Sequence, residues 1–156
     1  MLATKPFAEK TAQQVCRTGS FDLSCDADTA FPFFSPEGER EWVRGWDPKP
    51  VFPEQIAFER NTVFREGTPE AIWIIVDVNW RAHRAEYVRL APESHTAHIV
   101  VDVEPSEAGR SHVTVSYTVT GFGRGRVRLL QSFSEAAYSA KMRAWKQRIS
   151  ACVQTR

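Results

Sequence analysis

One stretch near the end of the chain alternates without a fault: Val113, Val115, Tyr117 and Val119 stand against Thr114, Ser116, Thr118 and Thr120. A period of two over this length predicts a strand with one buried and one wetted face. Comparable strand signals precede it at about 56–65, 70–80, 84–90 and 95–104, with 111–120 as the last. Breaks fall at Gly67-Thr68-Pro69, Arg81-Ala82-His83 and Pro92-Glu93-Ser94, and between Pro105 and Arg110. Connections this short predict an antiparallel meander. An earlier strand is predicted over 11–23, with Val15, Arg17, Gly19 and Phe21 on one face and Cys16, Thr18, Ser20 and Asp22 on the other.

From about Leu129 to Val153 the period becomes helical. Tyr138, Met142, Trp145 and Ile149 share one flank, and Ala137, Ala140, Ala144 and Ala151 form a stripe beside them. Glu135, Ser139, Arg143, Lys146, Gln147 and Ser150 occupy the opposite arc. The wetted sheet needs a cover on its apolar face, and this helix supplies one. An alanine stripe facing a sheet either allows close packing or leaves a gap for a ligand. Ser132 and Glu135 form a capping-box pattern. A helix beginning there is shorter or kinked, which widens one end of such a gap.

Between the first strand and the meander the pattern is broken. Asp26 and Asp28 precede Ala30, Phe31, Phe33 and Phe34, which predicts a short capped helix interrupted at Pro32. Ser35 can cap a second short helix through Trp42, with Pro36 in its first position. Gly45, Pro48, Pro50 and Pro53 then impose an irregular or extended connection that carries Trp46 and Phe52. The strand around Ile72 to Val78 is apolar on both faces, which would suit a covered outer face and leaves a homodimer open. If Val76 pairs with Val88 in the following hairpin, Ile75 lies opposite Arg89 and Asp77 opposite Tyr87.

The 156 residues suit one domain, 1–156, and 42% hydrophobic with 25% charged residues is a globular composition. A net charge of +1 gives no overall pull toward nucleic acid. The short cluster Arg124, Arg126, Arg128 reads as a solvated lead-in to the helix. Three cysteines, Cys16, Cys25 and Cys152, without a CxxC pair suggest a reducing compartment. Met1 to Lys10 holds no apolar signal segment or membrane anchor, so the expected location is the cytoplasm. Cys16 and Cys152 are read as packing residues. Of the four histidines, His95 and His98 point to opposite faces of a strand and share no metal. The expectation is neither metal nor cofactor, with the histidines on the surface or in hairpins. No nucleophile elbow is present.

The run Phe33-Phe34-Ser35-Pro36-Glu37-Gly38-Glu39-Arg40-Glu41-Trp42-Val43-Arg44-Gly45-Trp46-Asp47-Pro48 resembles a motif of a bacterial branch of the START-like superfamily, which also includes polyketide cyclases and birch-pollen-allergen-like proteins. The similarity continues through Thr62-Val63-Phe64, Trp73, Tyr87-Val88-Arg89, Val113-Thr114-Val115 and the Tyr138 to Trp145 helix, so it spans nearly the whole chain. The resemblance implies an α+β helix-grip fold: a curved antiparallel β-sheet wrapped around a long C-terminal helix, with two short helices after the first strand. It also implies a chamber between sheet and helix for a small apolar or amphipathic ligand, and it speaks to architecture more than to activity.

Within such a chamber, Asp77, Tyr87 and Arg89 would orient a polar group among Trp73, Ile75, Tyr117 and Trp145, with Tyr138 and Met142 on the helix flank. The competing reading of Asp77 and Arg89 is a cross-strand ion pair on the outer face. Trp42 and Trp46 suit a lid over the mouth, or a satellite core pinning the short helices. Three functions remain open: binding or transport without bond-making, a cyclase or dehydratase using Asp77, Tyr87 or Arg89 for proton transfer, and a protein-interaction module acting through the sheet.

Overall fold

Most apolar side chains on the long strands turn to one side, and that shared face assembles the molecule. In the computed structural model, which describes residues 12–156, strands β1 (Gln13–Leu23), β2 (Lys49–Phe52), β3 (Val63–Glu66), β4 (Ala71–Asn79), β5 (Arg84–Ala91), β6 (His95–Ser106) and β7 (Arg110–Gly121) form one antiparallel sheet. Their spatial order is β1-β7-β6-β5-β4-β3-β2. The meander from β3 to β7 therefore runs through neighbouring strands, and the first strand returns to the far edge beside the last. On β7, Val113, Val115, Tyr117 and Val119 are buried and the threonine and serine positions between them are half-exposed, as the alternation requires. Thr11 and the reading of the first ten residues lie outside the described residues. No helix among the described residues is long and apolar enough to cross a membrane.

The strand expected over 56–65 begins only at Val63. Asn61 has φ 69°, a left-handed conformation that ends any extended run before it. The proline-rich connection contains a four-residue edge strand, β2, paired with β3 through Lys49 and Arg65 and through Pro50 and Phe64. An edge position tolerates proline because one side of the strand has no partner to receive an N–H.

The hairpin of β4 and β5 corrects the expected register. Trp73 pairs with Arg89, Ile74 with Val88 and Ile75 with Tyr87, after which a bulge at Val76 brings Asp77 opposite Glu86. The extra residue reverses the inward parity of everything after it. Asp77 is therefore exposed, while Val78 turns toward the core. Ile72 and Ile74 each keep 38% of their surface exposed, so nothing described within the chain covers the outer face of β4. Cys16, read as a packing residue, is exposed on the outer face of β1.

Helix α1 (Ala27–Ala30) starts where expected, with the Asp26 carboxylate accepting the Thr29 N–H at 2.8 Å. A 3-10 turn over Phe31–Phe34 follows and buries three phenylalanines. Ser35 Oγ accepts the Gly38 N–H at 2.9 Å and donates to Pro32 O at 2.7 Å, fastening the next 3-10 turn, Gly38–Glu41, to the first.

The C-terminal helical segment is two helices, α2 (Arg126–Gln131) and α3 (Glu135–Gln154). Ser134, not Ser132, caps α3: its extended backbone aims the side chain at the Ala137 N–H, 3.2 Å away. Ser132 is itself helical and closes α2. Tyr138, Met142 and Ile149 are buried under α3, as their spacing predicts. The alanine stripe does not face the sheet, for Ala140 and Ala151 are exposed. Close approach comes instead from the strand side, where a Cβ on Gly19 would lie 2.7 Å from Met142 Cγ. Tyr138 Oη donates to the Val115 carbonyl at 2.6 Å, tying helix to sheet. Tyr138→Phe should lower the stability in urea by about 1 kcal/mol, the usual worth of one buried hydrogen bond. No change in the denaturation midpoint would show that bond to be idle.

Candidate functional site

Between the inner face of β3 to β7, the Gly38–Glu41 turn with its following loop, and α3 lies a chamber of about 340 Å³. Its floor follows from the strand register. Phe64, Trp73 and Arg89 stand side by side in one cross-strand row, and Tyr87, Ile99 and Tyr117 in the next. One edge of α3 supplies a wall, since Lys141, Trp145 and Arg148 recur at helical spacing. The turn and loop bring Glu39, Trp42 and Trp46 over the top.

Seven aromatic side chains line the chamber. Phe64 and Trp73 stack at 5.7 Å, while Trp46 meets Trp73 edge-on at 5.4 Å and Trp42 meets Trp145 edge-on at 5.1 Å. The two cap tryptophans are pinned: Trp42 Nε1 donates to Phe33 O and Trp46 Nε1 to Pro36 O, each at 2.8 Å. Lining and packing are thus combined in the same side chains, and the two readings offered for Trp42 and Trp46 do not exclude each other.

Trp42, Trp46, Trp73, Tyr87, Arg89, Tyr117 and Trp145 come together around this chamber. Four other expected residues do not. Ile75 is fully buried in the core, and the β4 bulge turns Asp77 outward to the surface. Tyr138 and Met142 lie over β1, beside Thr18, Gly19 and Phe21. Among the lining residues that the sequence did not single out, the inner charged ones are Glu39, Glu66 and Lys141. A signal for two of them exists. Glu66 follows the inward Phe64 by two on a strand, and Lys141 lies one helical turn before Trp145.

The chamber perturbs these groups. Burial raises the Glu39 carboxyl to about 8, with the nearby Glu66 charge adding to the effect. Burial also lowers Lys141 to about 8, helped by Arg89 and opposed by Glu39. Glu66 is raised as well, by burial first, against the pull of Arg89. The Lys141 ammonium lies over three rings, 4.5 Å from the centre of Tyr117, 4.9 Å from Phe133 and 5.9 Å from Trp145. Tyr87 donates its hydroxyl to Phe34 O at 2.5 Å, and burial holds its proton well above the ordinary range.

Arg89 reaches His95 Nε2 with Nη2 at 3.1 Å, and Ser94 Oγ lies 2.8 Å from His95 Nδ1. His95 stands at the β5–β6 hairpin, one of the two places expected for the histidines, but it is buried there. Burial and the Arg89 charge lower its pKa, which favours the neutral ring. The other three pair with surface carboxylates: His83 with Asp28, His98 with Glu86 and His112 with Asp22.

Neither a family model nor a curated protein sequence matches this chain. Solved structures do. Norcoclaurine synthase from Thalictrum flavum, in complex with dopamine and hydroxybenzaldehyde, superposes over 99% of this chain and 95% of its own at 9% identity, with a TM-score of 0.67. Ara h 8.0201 covers 82% of this chain and 94% of its own at 12% identity, with a TM-score of 0.58. The di-domain ARO/CYC protein BexL covers 86% of this chain and 46% of its own at 12% identity, with a TM-score of 0.61. With seven antiparallel strands, short helical turns between β1 and β2 and a long C-terminal helix, the chain superposes on these structures and has the START-like helix-grip fold.

Proposed function

We propose that this protein binds a small amphipathic molecule, with a flat apolar body, in the chamber between sheet and α3. The observation that carries this is the chamber itself: about 340 Å³ lined by seven aromatic side chains, with six charged groups at its border. Sites for small molecules have this make-up, a largely apolar wall with sparse polar groups that set orientation. The dopamine and hydroxybenzaldehyde of the norcoclaurine synthase structure support small aromatic compounds as the size class.

A second reading, a cyclase or dehydratase, is favoured by one specific observation. Glu39 and Lys141 face the same chamber, and both titrate near neutrality, the property expected of a general acid and base. In that reading they replace Asp77 and Tyr87, which are exposed and engaged with Phe34 respectively.

The test is native mass spectrometry of protein purified from its own host, joined to titration with N-phenyl-1-naphthylamine, an apolar dye that brightens on leaving water. A mass excess that disappears on denaturation, and saturable dye binding, are expected. Val101→Phe, which fills the chamber floor, should weaken dye binding by about tenfold or more. Bare protein that leaves the dye dark would overturn the proposal. Ile72, Ile74 and Leu90 are exposed on the outer sheet face, so the same spectra also test for a homodimer.

A further inference from the structure

We infer that the chamber is built for an anionic amphipath, whose carboxylate is received by Lys141 and Arg89. The inference rests on the binding function proposed above and adds the charge and the position of the polar end.

Six charged side chains border the chamber: Glu39, Arg44, Glu66, Arg89, Lys141 and Arg148. Among the described residues none of the six forms an ion pair, whereas surface charges on the same sheet do, such as Arg84 with both Glu86 and Asp102. Arg44 and Arg148 are exposed and meet solvent. The inner two cations, Arg89 and Lys141, are only partly exposed, and neither forms a salt bridge among the described residues, although Glu66 lies near enough to feel Arg89.

What each has instead is polarisable but uncharged. Lys141 rests on the faces of Tyr117, Phe133 and Trp145. Arg89 lies over Trp73, its centre 5.5 Å from the ring, and donates to the imidazole of His95. A neutral His95 accepts that hydrogen bond without balancing the charge. Arg89 Nε is buried without a hydrogen-bond partner among the described residues, so its guanidinium is only partly satisfied. The rings hold both cations in place, while the apolar surroundings make an added anion count for more than it would in water.

Glu39 does not supply that anion below about pH 8. Glu39 keeps its proton there, leaving Glu66 against four cations. Arg44 from the loop, Glu66 from β3, Tyr87 and Arg89 from β5, Tyr117 from β7 and Arg148 from α3 complete the groups facing Lys141 and Glu39. As pH rises through about 8, Lys141 loses its charge and Glu39 gains one. The net charge of the chamber then falls by two, one cation lost and one anion gained, and anion affinity falls.

Two dyes sharing one aromatic body separate charge from shape: 8-anilinonaphthalene-1-sulfonate carries an anion, and N-phenyl-1-naphthylamine does not. At pH 7 the wild-type chain should bind the sulfonate about tenfold more tightly, the scale of one charge-assisted hydrogen bond. Lys141→Gln should remove most of that preference, read as the ratio of the two affinities, and Lys141→Arg should restore it. The wild-type preference should also shrink between pH 7 and pH 9. Equal affinity for the two dyes, or a preference unmoved by Lys141→Gln, overturns the anion site alone. Failure of both dyes to bind overturns the chamber function as well. Sulfonate binding that survives Val101→Phe lies elsewhere on the molecule and likewise overturns the assignment.

Discussion

Glu39→Gln is expected to stabilise the protein by about 2 kcal/mol at pH 7. The carboxyl, ordinarily at 4.5, is held at about 8. Between those values the folded chain keeps a proton that the unfolded chain has released, so stability falls as pH rises through this window. Lys141, lowered from 10.5 to about 8, acts in the adjoining window. There the unfolded chain binds the additional proton, and stability rises with pH. Together the two groups create a minimum near pH 8. A tenfold change in acidity is worth about 1.4 kcal/mol, and solvent at the chamber screens part of it, which leaves about 2 kcal/mol at pH 7. Urea denaturation at pH 5, 7 and 9 measures this: the Glu39→Gln gain should be small at pH 5 and clear at pH 7. A gain of the same size at both values would mean that the carboxyl titrates normally. Lys141→Met should also stabilise at pH 7, because it removes a buried charge. A chain that gains stability when its chamber charges are removed holds them there for something other than folding.

Gly38→Ala is expected to cost about 3 kcal/mol or more, at the upper end for overpacking. A Cβ at this position would lie 1.9 Å from Pro32 O and 2.9 Å from Phe33 Cα. Both are backbone atoms, so one 3-10 turn must move away from the other. The displaced turn carries Glu39 and leads directly to Trp42, so ligand binding should weaken together with stability. Gly45→Ala is the control. Gly45 has φ 76° but nothing within 4 Å of the added carbon, so backbone strain alone should cost about 1 kcal/mol. Equal losses from the two substitutions would show that the turns are not in tight contact.

Alternation and turn chemistry were sufficient for the strands β4 to β7, the capped start of α1 and the buried flank of α3, because each depends on neighbours in sequence. Periodicity grouped Trp73, Tyr87, Arg89 and Tyr117 by strand face but did not say which face of β4 turns inward; the structure places all four at the chamber. Asp77 could not be placed, because a bulge has no periodic signature and one inserted residue reverses the parity beyond Val76. Lys141 escaped for a different reason. Sorting a helix by hydropathy assigns lysine to water, yet its aliphatic stem and ammonium can both rest on rings. The position of Gly19 on β1 explains why the alanine stripe misled: strand and helix approach closely through the strand's missing side chain.

The placement of β1 beside β7 has a consequence for how the chain is made. Gln14 hydrogen-bonds Thr120, which is 106 positions later, and every residue from Gln13 to Leu23 finds its partner on the last strand. During synthesis the N-terminal strand emerges first and has nothing to pair with until β7 has left the ribosome. The β4 to β7 meander needs only local closures and can assemble before β1 docks. Throughout that interval Phe21 and Leu23, buried in the finished sheet, are exposed to other chains, which makes the delayed docking of β1 the stage at which this protein is most open to aggregation and to chaperones.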